Sequence, residues 1–202
     1  MVLAFAGFDR PGRAWWRAAQ AAVLGAAALL TGCASLSPAE CATANWRQIG
    51  IQDGSQGRTD RAAAHHDACA KAGIAVDVAS YRAGRGEGLQ GYCRLDVAIN
   101  EGLAGRSYRG VCPPDVDPHF RVFHEAGYRE HEARNTLARL QQEQERLSRE
   151  LNDAKTPEDR KRKLRDELAS SDRRIGNARF AVRDTSQQLD RLRQDLRQGR
   201  VN

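Results

Sequence analysis

The chain has 202 residues, five of them cysteine, with 32 Lys and Arg against 26 Asp and Glu for a net charge of +6. Without the first 32 residues, read below as a leader, 170 remain, a length that suits one small domain with an extension better than one large core. The charge is uneven: residues 33–119 hold 9 basic against 10 acidic side chains, and residues 120–202 hold 20 against 15.

The first 32 residues read as a removable leader. Asp9, Arg10, Arg13 and Arg17 form a basic opening, followed by a 13-residue apolar run from Ala18 to Leu30. A membrane-crossing helix needs about 20 residues, so this run suits a signal peptide better than a span. Leu30-Thr31-Gly32-Cys33 has the small-residue pattern of a bacterial lipobox. On that reading Cys33 becomes the lipidated first residue of the mature protein. The alternatives are a signal peptide cut elsewhere or a transmembrane anchor; neither explains a cysteine directly after Leu-Thr-Gly. Ala34 and Ser35 supply no Asp to retain the protein at the inner membrane, so the expected address is the periplasmic side of the outer membrane. A basic half can attract nucleic acid, but in that compartment anionic envelope surfaces are the expected partners and no nucleic acid is.

With Cys33 lipidated, Cys41, Cys69, Cys93 and Cys112 remain, all ahead of residue 113. An even number in an oxidising compartment implies two disulfides in one of three connectivities. The most local closures, Cys41–Cys69 with Cys93–Cys112, are preferred. Each restricts the unfolded chain by about 3 kcal/mol.

Residues 33–40 form a short tether broken by Pro38. Trp46 to Gly50 leads into Asp53-Gly54-Ser55-Gln56-Gly57, which reads as a turn because Asp accepts backbone N–H groups and Gly tolerates positive φ. Thr59 or Asp60 caps a helix running to Ala72 and ended by Gly73. Ala62, His65, His66, Cys69 and Ala72 fall on one side of it. Asp77 caps a short helix through Tyr81 and Arg82. The stretch from Gly84 to Gly91 is too glycine-rich for regular structure, and its spacing does not follow a nucleotide-binding pattern. Asp96 caps a third helix to Leu103, and the unit ends at Tyr108 to Pro114. Glu87-Gly88-Leu89-Gln90-Gly91 echoes Glu101-Gly102-Leu103-Ala104-Gly105, as two similar loops held by one disulfide would.

The series Trp46, Gly50, Asp53-Gly54, Gly57, His65, Cys69, Asp77, Tyr81, Gly84, Gly88-Leu89, Tyr92-Cys93, Gly102, Gly105, Tyr108 and Gly110-Val111-Cys112-Pro113 resembles an uncharacterised family of bacterial lipoproteins, domain of unknown function 2799. The resemblance covers residues 33–128. It implies a small cysteine-bearing envelope lipoprotein and no particular activity.

No constellation in this region argues for catalysis, a metal or another cofactor. His65 or His66 shares a helical face with Cys69, and a metal site there could use them with Cys41 or Cys93 contributing. No CxxC or HxxxH pair starts one. Asp53, Asp77, Asp96 and Glu101 each sit where a cap or turn accounts for an acid. No GxSxG nucleophile motif occurs. Trp46, Tyr81, Tyr92 and Tyr108 suit either a saccharide groove or the core of a small domain poor in aliphatic residues, and the core reading is preferred.

From Asp117-Pro118 onward the pattern becomes helical, with Asp as N-cap. Asn152 to Lys155 is a turn, and Thr156 caps a second helix running to Gln198. Leu137, Gln144 and Leu151 fall at heptad position a, and Ala126, Ala133, Leu140 and Leu147 at d. Leu168, Ile175, Val182, Leu189 and Leu196 take a in the second helix, with Leu164, Ser171, Ala178, Thr185 and Leu192 at d. Too polar to stand alone, the two helices are expected to pair antiparallel. Centring the turn on Ala154 places Gln144 opposite Leu164, Leu140 opposite Leu168, Glu130 opposite Ala178 and Phe123 opposite Thr185. Leu189, Leu192 and Leu196 then overhang His119, Val116 and Cys112. They are expected to dock on the cysteine domain or to meet the same stripe of a second copy. Around the turn, Lys155, Arg160, Lys161, Arg162, Lys163 and Arg165 form a basic tip suited to lipopolysaccharide phosphate, anionic lipid or peptidoglycan carboxylate.

The expected architecture is mainly α: leader 1–32, a small disulfide-stapled, loop-rich helical domain over 33–116, and an antiparallel coiled-coil hairpin over 117–202. The expected role is a non-enzymatic outer-membrane lipoprotein that contacts another envelope component. The alternative is a module that binds a saccharide or peptidoglycan fragment.

Overall fold

The computed structural model describes residues 36–200 as seven α-helices with no strand among them. The expected leader and Cys33 lie outside the described residues. The helices are α1 (Pro38–Ala42), α2 (Trp46–Ser55), α3 (Ala62–Ala70), α4 (Val78–Tyr92), α5 (Leu95–Leu103), α6 (Asp117–Asn152) and α7 (Glu158–Arg197). The first five, with the opening turns of α6, form a base. The rest of α6 and most of α7 form an arm. The mainly helical, disulfide-stapled base followed by a long helical hairpin is the architecture expected from the residue pattern.

Both disulfides join the expected partners, Cys41 to Cys69 and Cys93 to Cys112, across Cα separations of 5.6 and 5.5 Å. Cys41, Trp46, Ala62, Cys69 and Tyr81 make one buried cluster. Trp46 and Tyr81 are thus core; Tyr92 is buried in a second cluster, with Tyr108 packed partly buried against it.

Two sequence readings of the base are overturned by the same physical cause. Asp53-Gly54-Ser55 is not a turn but the last part of α2, and the stretch from Gly84 to Gly91 is not irregular but the body of α4. Glycine weakens an isolated helix, yet it also lets two helix backbones touch. Gly50 and Gly54 on α2 face Gly84 and Gly88 on α4. A Cβ on Gly50 would overlap the Tyr81 carbonyl, and one on Gly84 the Arg47 carbonyl. The four-residue spacing on each helix is the fit, not a break.

The echo between residues 87–91 and 101–105 has the same origin. Neither copy is a loop throughout: Gly88 lies within α4 and Gly102 within α5. Gly88 meets the Ile51 carbonyl, while Gly102 meets the His124 carbonyl of α6. Gly105, at φ +70°, then ends α5.

Several caps shift. Asp60 bonds the Ala62 N–H at 2.8 Å from the turn before α3. Asp77 caps α4 as expected, through the Ser80 N–H at 2.9 Å. Asp96 lies inside α5 and pairs with Arg94 at 3.0 Å rather than capping. Asp117 is inside α6, whose N-cap is Val116, and Pro157 rather than Thr156 is the N-cap of α7.

The arm pairs α6 with α7 through Leu140, Ile175 and Ala178, with Leu137 packed alongside. The register differs from the expected one. Leu140 meets Ile175 and Ala178, not Leu168. Gln144 bonds Asp172 rather than facing Leu164, and Glu130 bonds Thr185 and Ser186 rather than facing Ala178. Each partner lies about one heptad further along α7. A one-heptad slip still sets a against d, so apolar periodicity cannot distinguish the two registers. Glu130 can: opposite Ala178 its fully buried carboxylate would lack hydroxyl partners, and an unpaired buried charge is costly.

The three leucines do dock. Leu189, at 2% exposure, joins Phe120, Phe123, Ala126, Ile99 and Cys112 in the larger core cluster, with Leu192, Leu196 and Val116 packed against it. The slip carries them back over the first turns of α6, where Leu189 is buried and Leu192 and Leu196 are partly buried.

Candidate functional site

Four regions could carry chemistry. The most enclosed lies between α2, α3 and α4. Asp53, at 2% exposure, accepts bonds from the Tyr81 hydroxyl at 2.9 Å and Arg58 Nη1 at 2.9 Å, and lies 3.3 Å from His65 Nε2. The Tyr81 oxygen in turn accepts from the Arg61 N–H at 3.1 Å. Burial raises the Asp53 carboxyl, but the bonds from Tyr81, Arg58 and His65 outweigh it and hold the group below its ordinary value. Burial, and then the bond to Asp53, pushes Tyr81 up to about 12.

This is a charged carboxylate whose partners all come from the base. It joins three helices and aims Arg58 outward. Sequence spacing missed Asp53, because read as a turn residue it had no reason to be buried. His65 belongs to this network, whereas His66 faces solvent. Among the described residues no group of three His, Cys, Asp or Glu side chains is arranged to hold a metal.

Arg58 reaches a cleft of about 940 Å³ between the α2–α3 loop and the α5–α6 loop. The first loop brings Ser55, Gln56, Arg58, Thr59 and Arg61, the second Arg106, Ser107 and Arg109, with Glu101 from α5 and Tyr92 closing the floor. Gly57, at φ +61°, sits against the Tyr92 ring where no side chain would fit. The loops are held from behind. Arg85 donates to the Arg58 carbonyl at 2.7 Å, and His124 Nε2 to the Arg106 carbonyl at 2.7 Å. Glu101 takes Arg106 in a two-bond fork at 2.6 and 2.9 Å. Among the described residues, the Arg61 and Arg109 side chains make no ion pair. These four arginines lie on two loops about 45 residues apart, a grouping invisible to motif or periodicity.

Beyond Ser107 a second, smaller cleft of about 510 Å³ is lined by Tyr108, Arg121, Val122, His124, Glu125 and Tyr128. Arg121 sits over the Tyr108 ring at 5.1 Å. The Tyr108 hydroxyl donates to Asp117 at 2.5 Å and accepts from the Cys112 N–H at 3.0 Å. Burial, and then that bond to Asp117, pushes Tyr108 up to about 12. The ring pins the loop that carries Arg106 and Arg109.

The arm tip is more neutral than the run of basic residues suggests. Arg160 is shared by Glu150 and Glu167 at 2.7 Å each, Lys161 pairs with Glu158 at 2.9 Å, and Arg162 pairs with Asp159. Lys155, Lys163 and Arg165 have no carboxylate partner among the described residues. From 150 to 167 the six basic side chains are matched by six acidic ones. Glu150, Asp166 and Glu167, from the helices on either side of the turn, complete that balance.

Residues 45–129 match the model of the family described as Protein of unknown function (DUF2799). The match spans the base from α2 into α6. It therefore contains both arginine-bearing loops and Asp53, and it leaves out the arm. No curated protein and no solved structure matches this chain.

Proposed function

We propose that this chain, whose base matches that family's model, is a non-enzymatic interaction protein anchored by lipid on Cys33 to the periplasmic face of the outer membrane. Its arm projects from the base toward another envelope component. The observation that carries the reading is the cysteine pairing. Cys41, Cys69, Cys93 and Cys112 are spent on one another, so none of them is left for Cys33, the fifth, which stands directly after Leu30-Thr31-Gly32. Two local disulfides in a small base suit an oxidising compartment. The Asp53 and Tyr81 bonds support a non-catalytic role, since they tie α2, α3 and α4 together within the core.

Replacing Cys33→Ala is expected to leave an unprocessed precursor outside the outer membrane on fractionation. Normal processing and outer-membrane location of that variant would contradict the anchor. A second reading, a base that binds a saccharide or peptidoglycan fragment, is favoured by the arginine-lined cleft.

A further inference from the structure

We infer that the cleft between the α2–α3 and α5–α6 loops binds an anionic glycan, gripping a carboxylate or phosphate with Arg61 and Arg109 while Arg58 and Arg106 brace it. The inference rests on the second reading above and names its ligand class and the residues that grip it. Residues 33–119 are close to neutral, with 9 basic side chains, yet four of those 9 line this one cleft. A solvated surface spreads its charges; here they converge.

Two of the four are already oriented. Arg58 is tied by one nitrogen to the buried Asp53, and Arg106 by two to Glu101. A guanidinium carries five N–H donors in a planar fork, so both keep donors for an incoming oxyanion. Ordering them is largely done before binding, which removes part of the entropy loss that association otherwise carries. Arg61 and Arg109 have no carboxylate of the described residues to neutralise them, and they supply the unspent charge. Thr59 and Ser107 line the same walls and offer hydroxyls to a sugar. Carboxylate and phosphate share the geometry that two arginines recognise, so the probes must separate them.

The test is calorimetric titration of the full chain in detergent with four probes: N-acetylmuramyl dipeptide, N-acetylglucosamine 1-phosphate, neutral diacetylchitobiose and inorganic pyrophosphate. An acidic sugar should bind at least about tenfold more tightly than chitobiose, with affinity falling as salt rises. The acid preferred identifies the source as peptide-bearing or phosphorylated glycan. The double variant Arg61→Gln/Arg109→Gln, which removes no side-chain bond of the base, should lose that about tenfold preference while keeping its circular dichroism. Chitobiose binding as tightly as the acids would overturn the anionic grip and leave saccharide binding standing. Pyrophosphate binding as tightly as the acidic sugars would overturn the glycan. No binding of any sugar would overturn the second reading itself. Unchanged acid affinity in the folded double variant would overturn the assignment to Arg61 and Arg109.

Discussion

The base and the arm each contain a pair of closely packed helices, yet the two pairs hold together by opposite means. In the base, α2 and α4 approach until backbone meets backbone at Gly50, Gly54, Gly84 and Gly88, and no side chain can be added. In the arm, side chains separate the helices. A sparse seam of Leu137, Leu140, Ile175 and Ala178 supplies the adhesion. Buried glycine contacts tolerate no slip. A heptad seam tolerates slips of seven residues, and needs a polar pin to choose among them. Glu130, bonded to Thr185, Ser186 and Arg134, is that pin.

The contrast predicts unequal responses to substitution. Gly84→Leu should be the most damaging change, because four side-chain carbons would have to enter space held by the Arg47 backbone. A loss of about 3 kcal/mol or more is expected, enough to unfold the base in a denaturant titration. Survival of the base with native disulfides and unchanged midpoint would break the close-packing account.

Leu189→Ala tests the junction. The side chain is buried among Phe120, Phe123 and Ala126, and its truncation should cost about 2–5 kcal/mol. Hydrogen exchange should show α7 opening near residue 189 while α2 and α4 stay protected. Uniform loss of protection would mean that base and arm unfold as one unit.

A smaller effect is expected at the pin. Burial raises the Glu130 carboxyl, but bonds from Thr185, Ser186 and Arg134 outweigh it and hold the group below its ordinary 4.5. A carboxyl lowered in the folded state stabilises above its unfolded value, and that contribution is lost as pH falls through the folded one. Stability should therefore be flat from neutral pH down to about 5 and decline below 4.5. Asp53 adds to the decline below its ordinary 3.8. Glu130→Ala should cost about 1–3 kcal/mol at neutral pH and flatten the upper part of that decline. An unaltered acid profile in the variant would remove Glu130 from the account.

Much of this fold was legible in the residues, and the failures share a cause. Helical periodicity, the proline-marked arm, the local disulfides and the surplus leucines all depend on neighbours close in sequence or on a surface that must be covered. The helical course of residues 84–91 depends instead on a partner backbone more than 30 residues away. Glycine propensity alone points the other way. Gly50 with Gly54, and Gly84 with Gly88, did carry a signal in their four-residue spacing. The arm register was ambiguous because Leu140 suits Ile175 as well as Leu168. Only the needs of Glu130 resolve it. The cleft gave no local sign at all, since Arg58 and Arg109 meet only through the folding of α4 and α5.

The register is the point at which the account is most directly exposed. Cysteines placed at Gln144 and Asp172, which bond each other across the arm, should cross-link rapidly under mild oxidation. Cysteines at Gln144 and Leu164 should not. Efficient cross-linking of 144 with 164 and none of 144 with 172 would show the arm in the unslipped register, and would contradict the claim that a buried carboxylate sets how the two helices meet.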